Sequence, residues 1–281
     1  MSTERQNIQP DYRSDRLFDI ATQRVTIISH FVYRHRAIIV MVLEYWVPLL
    51  SASAQGGPPL LTDDPGTPGP GHWEVNIATT YEAHDRGWIL EIPLIDANYG
   101  VGNSIQLKVE GPWLLDRSPD SDRRSGPGNM LLGVKWRFLD HGEDGFAISM
   151  YPQLEIQTPG STSYRRGLVT STPALLLPIE VTHPLGPVYL NAEAGYEVVH
   201  SDQNFLIYGL ALGRALTKRV EVMGEIHGTS TLLQNEPVVN IGTRVSMTPG
   251  FLLLLSGGHT LGSTAGGIGG ASAYAAAQLL L

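Results

Sequence analysis

Between Asn204 and Thr229 lie two segments of strict alternation separated only by Thr217, Lys218 and Arg219. In the second segment Val220, Val222, Gly224, Ile226 and Gly228 share one face, while Glu221, Met223, Glu225, His227 and Thr229 share the other. In the first, Leu206, Tyr208, Leu210 and Leu212 oppose Ile207, Gly209, Ala211 and Gly213. A period of two is the signature of a strand, and two such runs around a tight turn predict a long hairpin. An isolated hairpin is unstable in water, so its apolar face must be covered. It meets either the core of a soluble sandwich or the lipid around a membrane barrel, whose polar face then lines the lumen.

The pattern recurs along the chain. Trp73, Val75, Ile77, Thr79 and Tyr81 alternate with Glu74, Asn76, Ala78, Thr80 and Glu82. Leu132, Val134, Trp136 and Phe138 alternate with Lys135 and Arg137, and Leu190, Ala192, Ala194, Tyr196 and Val198 with Asn191, Glu193 and Glu197. The spacing predicts strands over Trp73–Glu82, Trp88–Tyr99, Ser104–Trp113, Asn129–Leu139, Gly145–Gln157, Gly167–Val181, Val188–Val199, Asn204–Leu216, Val220–Thr229, Val238–Met247, Phe251–His259 and Ser272–Leu281. In the second, facing changes across Pro93, which predicts a bulge. The runs around Pro173 and Pro178 and from Leu252 to Leu255 do not alternate cleanly.

Connection lengths separate the two architectures. Gly100–Asn103, Asp140–Asp144, Thr182–Pro187, Thr217–Arg219 and Thr248–Gly250 are short, whereas Leu114–Gly128, Thr158–Arg166, Glu236 with its upstream neighbours and the glycine-rich Thr260–Gly270 are among the other connections. Short turns at one end and long loops at the other are a property of membrane barrels, as are Trp73, Trp88, Tyr99, Trp113 and Trp136 near strand ends. The expected fold is therefore all-β: an antiparallel up-and-down transmembrane β-barrel of about twelve strands over 73–281.

The residues before it read as export and leader segments. Arg34, His35 and Arg36 precede an apolar run from Ala37 to Leu50, interrupted by Glu44, and Ala52, Ser53 and Ala54 supply small-x-small spacing. Residues 1–54 are thus expected to be an extension and signal peptide, cleaved after Ala54, and 55–72 a Pro/Gly-rich leader. The run is too short, and Glu44 too polar, for a spanning helix. With no cysteine, a disulfide framework and thiolate metal sites are excluded, and a net charge of −8 argues against nucleic-acid binding.

On the face expected to line the lumen, Glu74, Glu82, Glu91, Asp96, Glu110, Glu155, Glu193, Glu197, Glu221 and Glu225 stand against Lys108, Lys135, Arg137 and Arg244. Two readings are open: a charged lattice that pairs across and stiffens a narrow barrel, or an acidic path for neutral or cationic solutes. The candidate solute path is Glu91, Lys108, Lys135, Arg137, Glu193, Glu197, Glu221, Glu225, His227 and Arg244. Glu221, Glu225 and His227 together invite an acid–base reading, but strand spacing leaves Glu225 and His227 roughly 7 Å apart. No nucleophile elbow, zinc helix or phosphate loop is present. Asp116, Asp120 and Asp122 suit weak calcium binding less well than a solvated loop, since Arg117, Arg123 and Arg124 interleave with them. Neither cofactor nor catalytic residue is expected.

Pro59–Gly69 (PLLTDDPGTPG) with Gly71-His72-Trp73-Glu74, Asn98-Tyr99-Gly100 running into Gln106-Leu107-Lys108, Leu132–Phe138 (LGVKWRF) and Tyr151-Pro152-Gln153-Leu154 carry a family resemblance. Over 58–281 the chain resembles the bacterial outer-membrane proteins grouped as a meta-pathway of phenol degradation. The resemblance implies an outer-membrane barrel, a transporter-like role for small aromatic or apolar molecules, and no transferable catalytic residue. Its expected partners are outer-membrane lipid, a small-molecule solute and the barrel-assembly machinery, which reads an apolar last residue, here Leu281. The rival functions are a structural or adhesive barrel without transport and a barrel-borne hydrolase.

Overall fold

A computed structural model describes residues 57–84, 87–117, 123–142, 145–169, 173–200, 203–231, 234–261 and 270–281. The signal segment, Asp120, Asp122 and most of the Thr260–Gly270 loop lie outside them. The strands are β1 (Trp73–His84), β2 (Gly87–Val101), β3 (Ile105–Arg117), β4 (Arg124–Pro127), β5 (Met130–Asp140), β6 (Ala147–Met150), β7 (Gln153–Ile156), β8 (Ala174–Leu185), β9 (Val188–Val199), β10 (Phe205–Ala215), β11 (Val220–Ser230), β12 (Asn235–Thr248), β13 (Phe251–Thr260) and β14 (Ala271–Leu280). All pairings are antiparallel: β1 pairs with β14, β3 with both β4 and β5, and β5 and β8 each with both β6 and β7, while the remaining strands pair with their neighbours in sequence. Because β4 with β5 and β6 with β7 each form one wall segment, the sheet closes as a twelve-stranded barrel. Trp73 and Leu281 exchange backbone hydrogen bonds of 2.8 and 2.9 Å, so both ends of the barrel sequence meet at one rim, called here the near end.

Burial is inverted relative to a water-soluble protein. Leu206, Leu210 and Leu212 on β10, Ile226 on β11 and Ile241 on β12 point outward and are exposed, in a band that continues through Ile77, Val109, Val134, Ile179 and Leu255. Asn76, Asn191, Glu180, Glu193, Glu225 and Arg244 point inward and are buried. The hairpin Phe205–Ser230 keeps the expected faces, with Leu210 opposite Ile226 and Ala211 opposite Glu225.

The irregular segments have physical causes. The ladder slips between Glu91 and Leu94, so the bulge expected at Pro93 is present. The segment expected as one strand over Gly145–Gln157 breaks at Tyr151-Pro152, opposite Pro178 of β8. Neither proline has an N–H to donate, so each serves as acceptor only, Pro152 to Val134 N and Pro178 to Tyr151 N. β8 accordingly begins at Ala174, after Pro173, rather than at Gly167. Leu252 and Leu254 of β13 face inward, where they pack with Ala78, Leu94 and Ala276, and both faces of this strand are therefore apolar.

The expected loop Leu114–Gly128 is mostly strand, because β3 extends to Arg117 and pairs with β4, Asp116 lying opposite Arg124. The ion pair between those two side chains holds the extension together. Glu236, expected in the connection before its strand, lies within β12. The near-end turns are short throughout, and the far end carries the long Gln157–Pro173 connection, although β1 and β2 nearly meet there.

Candidate functional site

The inward residues of neighbouring strands converge on a lumen that is lined but not empty. Residues 57–71 turn into the barrel and occupy it. Glu225 accepts hydrogen bonds from the backbone N–H of Leu61 (2.8 Å) and of Thr62 (2.7 Å), and from Asn240 Nδ2 (2.7 Å). Glu193 accepts from Asp63 N at 3.1 Å. Lys135 donates to Asp63 Oδ1 at 2.9 Å and to the Asp64 carbonyl, and its ammonium lies 3.3 Å from Glu180. Arg244 donates to the Pro58 carbonyl at 2.7 Å and lies 3.6 Å from Glu221, while Ser256 donates to the Pro59 carbonyl at 2.6 Å. Leu60 packs on Ala211 and Met223. A Cβ at Gly209 would strike the Thr62 side chain, so this inner-wall glycine makes room for the leader.

This arrangement accounts for the excess of inward carboxylates. A buried carboxylate without partners is costly, and the leader supplies backbone donors where the wall lacks bases. Asp63 shows the balance from the other side. Burial alone would raise its carboxyl, but Lys135 and Lys108 hold it below the usual carboxylate range. Burial raises Asp64, against the opposing pull of Lys135.

The candidate path residues separate into groups. Lys135, Glu193, Glu225 and Arg244 grip the leader directly, and Glu221 does so through Arg244. Lys108 pairs with Glu110 of its own strand at 2.7 Å and with Asp96 of adjacent β2 at 3.5 Å rather than across the lumen. Glu91 accepts from Thr80 Oγ1 at 2.7 Å beside the bulge. His227 and Glu197 stand on the inner face farther toward the far end, beyond Glu225 and Glu193. Arg137 lies toward the near rim, between Ser104 of the β2–β3 turn and Ser149 of β6, and is engaged by Asp140 (3.2 Å) and the Asn103 carbonyl. With Glu225 committed to the leader, the Glu221–Glu225–His227 trio is not a free acid–base group. Among the described residues no cluster of His, Asp or Glu is arranged to hold a metal. Asp116, one of the loop aspartates considered for calcium, is instead paired with Arg124.

Several inward residues carry no charge pattern that would have singled them out. Asn76 and Asn98 donate to Asp96 at 3.0 Å, and Gln106 donates to Asn98 (2.8 Å) and to Tyr151 Oη (3.1 Å). The Lys135 ammonium sits 4.6 Å from the Tyr151 ring centroid. Glu180 was hidden by the prolines that obscure the alternation of β8. Between the leader and this network lies a cavity of about 50 Å³, lined by Lys108, Lys135, Arg244, Asp63, Glu74 and Gln106 among others.

A second element narrows the far end. The stretch 157–169 folds against the inner wall, with Ser163 and Leu168 buried. Arg124 fastens it by donating to the Gly167 carbonyl at 2.8 Å and the Arg166 carbonyl at 3.2 Å, and Thr158 Oγ1 donates to the Gly128 carbonyl at 2.6 Å. A Cβ at Gly126 would collide with Arg166, Ser163 and Leu168, so that glycine forms the seat.

The model of a family described as "Putative MetA-pathway of phenol degradation" matches residues 56–276. Among solved structures, an outer membrane channel from Pseudomonas putida F1 superimposes with a TM-score of 0.61 at 10% identity, covering 81% of this chain and 100% of that one. NanC porin gives 0.53 at 7% identity, covering 73% of this chain and 98% of that one. KdgM porin in complex with disordered oligogalacturonate gives 0.51 at 8% identity over the same shares. These likenesses establish the barrel fold. No curated protein matches the sequence.

Proposed function

Because the chain belongs to the family described as "Putative MetA-pathway of phenol degradation", we propose that it is a channel of the bacterial outer membrane that passes small, aromatic or apolar molecules. The observation that carries this reading is the inversion of burial: exposed leucine, isoleucine and valine outside, buried carboxylates, amides and cations inside. Only a barrel surrounded by lipid and containing water or polar chain makes that arrangement favourable. The near end, with its short turns and both ends of the barrel sequence, faces the periplasm. The segment 1–54 is the cleaved signal, 55–72 the leader and 73–281 the barrel; the family match begins at residue 56, just past Ala54. The assembly machinery reads β14 and Leu281.

The solute path runs past Glu91, Lys108, Lys135, Glu193, Glu197, Glu221, Glu225, His227 and Arg244, with Arg137 at its periplasmic exit. A space of about 50 Å³ is well below the ~150 Å³ that holds a benzene ring. An aromatic solute therefore passes only when the leader shifts. The protein is not an enzyme on this reading, because the carboxylates that would do chemistry are used in holding the leader. Occlusion of the lumen is the one observation that favours the second reading, a structural barrel without transport.

Proteoliposomes containing the mature chain decide between them. Phenol and small ions should enter faster than through protein-free vesicles, and deletion of 57–71 should raise the rate further. If neither the mature chain nor the deletion variant conducts, the channel reading fails and the structural one stands.

A further inference from the structure

Strand alternation divides two adjacent arginines between the faces of the wall. Arg124 turns inward to Asp116 and to the carbonyls of Arg166 and Gly167. Arg123 lies outside, its guanidinium 5.9 Å from the centroid of the Trp88 ring. Trp88 is paired across the ladder with Arg117, the exposed last residue of β3, and its ring lies 6.4 Å from that of Tyr81. Asp116 is buried on the inner face, which places Arg117 on the outer one. Two cations thus flank an outward tryptophan at the outer rim. Below them the outward face is apolar, through Trp113, Val109 and Leu107 on β3 and Ile77 on β1.

Taking the orientation from the outer-membrane reading above, we infer that Arg117 and Arg123, on the platform of Trp88 and Tyr81, bind the phosphate of a lipid headgroup in the outer leaflet. An outward arginine is costly at the midplane but nearly free of cost near the interface, so the pair marks headgroup level. An aromatic ring in that position is the usual interfacial anchor. A guanidinium held by the face of an indole keeps its N–H edge free for a bidentate contact with phosphate oxygens. Among the described residues neither Arg117 nor Arg123 forms an ion pair with a carboxylate. The apolar wall beneath receives the acyl chains of the same lipid, which a free phosphate would leave unused.

The test uses the mature chain in detergent, with native mass spectrometry reading lipid retention. Phosphatidylglycerol should be retained in preference to diacylglycerol of the same chains. Arg117→Gln with Arg123→Gln should weaken that retention by about five-fold per arginine, roughly twenty-five-fold for the pair. Lys218→Gln with Arg219→Gln, at the opposite rim, should leave it unchanged. Equal retention of the two lipids by the wild type overturns the inference even if the double variant does not fold. So does unchanged retention in a folded Arg117→Gln/Arg123→Gln barrel, an equal loss in the opposite-rim variant, or displacement by millimolar inorganic phosphate, which would identify a free-anion site. A barrel that conducts nothing yet shows the expected retention refutes the channel reading and leaves this one standing.

Discussion

Replacing Glu225 by Gln should free the leader locally, at Leu61 and Thr62, without disturbing the wall. The carboxylate accepts from Leu61 N, Thr62 N and Asn240 Nδ2, all within 2.7–2.8 Å. Glutamine keeps one acceptor oxygen and turns an amide group toward a backbone N–H. At least one charge-assisted bond is lost, about 1.5–3 kcal/mol, and one buried N–H is left without acceptor, about 1–3 kcal/mol. The sum, roughly 3–6 kcal/mol, shifts the docked–released equilibrium by about two to four powers of ten. Lys135, Arg244 and Ser256 still hold Asp63, Pro58 and Pro59, so release is local to Leu61 and Thr62. Thr62 is fully buried and the chain has no cysteine, so Thr62→Cys is a unique reporter. Maleimide labelling of the folded barrel follows the released population when opening is fast relative to labelling. In the Glu225→Gln background it should accelerate at least a hundredfold, while heat-modifiability on gels stays as in wild type. Unchanged labelling in a folded Glu225→Gln barrel would refute the assignment of Glu225 as the anchor.

Leu210→Arg, at an exposed outward site, should hinder insertion with a cost of about 2–4 kcal/mol if it lies near the midplane, seen as loss of the heat-modifiable band; normal folding would mean the faces are reversed. Arg124→Gln removes the donors to the Arg166 and Gly167 carbonyls and should speed tryptic cleavage after Arg165 or Arg166 several-fold. Acidification should act on the leader in two opposed steps. The carboxyl of Asp63 is lower docked than free, so its contribution is present above the usual value of 3.8 and is lost as pH falls through the lowered one. Asp64 is raised, so its protonation favours docking at higher pH than that. Thr62→Cys labelling should therefore slow on mild acidification and rise again only below about pH 3.8. Amino-terminal sequencing of the membrane-fractionated protein should begin at Gln55; a soluble product beginning at Met1 would contradict export.

The wall was legible in the sequence because a strand's facing is a local property. Alternation from Phe205 to Ser230 puts Leu210 and Glu225 on opposite faces whatever the rest of the chain does, and the facing change at Pro93 announces its bulge. Alternation fails where a residue answers to something distant. The run from Leu252 to Leu255 shows no clean facing until Ala78, Leu94 and Ala276 are brought beside Leu252 and Leu254. Pro178 looks disruptive until the break at Tyr151-Pro152 lies opposite it, where Pro178 need only accept from Tyr151 N. Arg123 and Arg124 read as one charged loop, because a strand begins between solvated residues whose partner, Asp116, lies on another strand.

The leader is the clearest case. Pro58–Gly71 has no periodicity and no ladder, so nothing local says where it goes. Its position depends on Glu225, Glu193, Lys135 and Arg244, contributed by four strands that all lie far from it in the chain. Closure of the barrel places these groups around one axis, and the need to satisfy their buried charges then draws the leader's backbone N–H and carbonyl groups between them. The sequence by itself determined a barrel with a charged interior; only the closed tertiary structure decided that the interior would be filled by the chain's own residues 57–71.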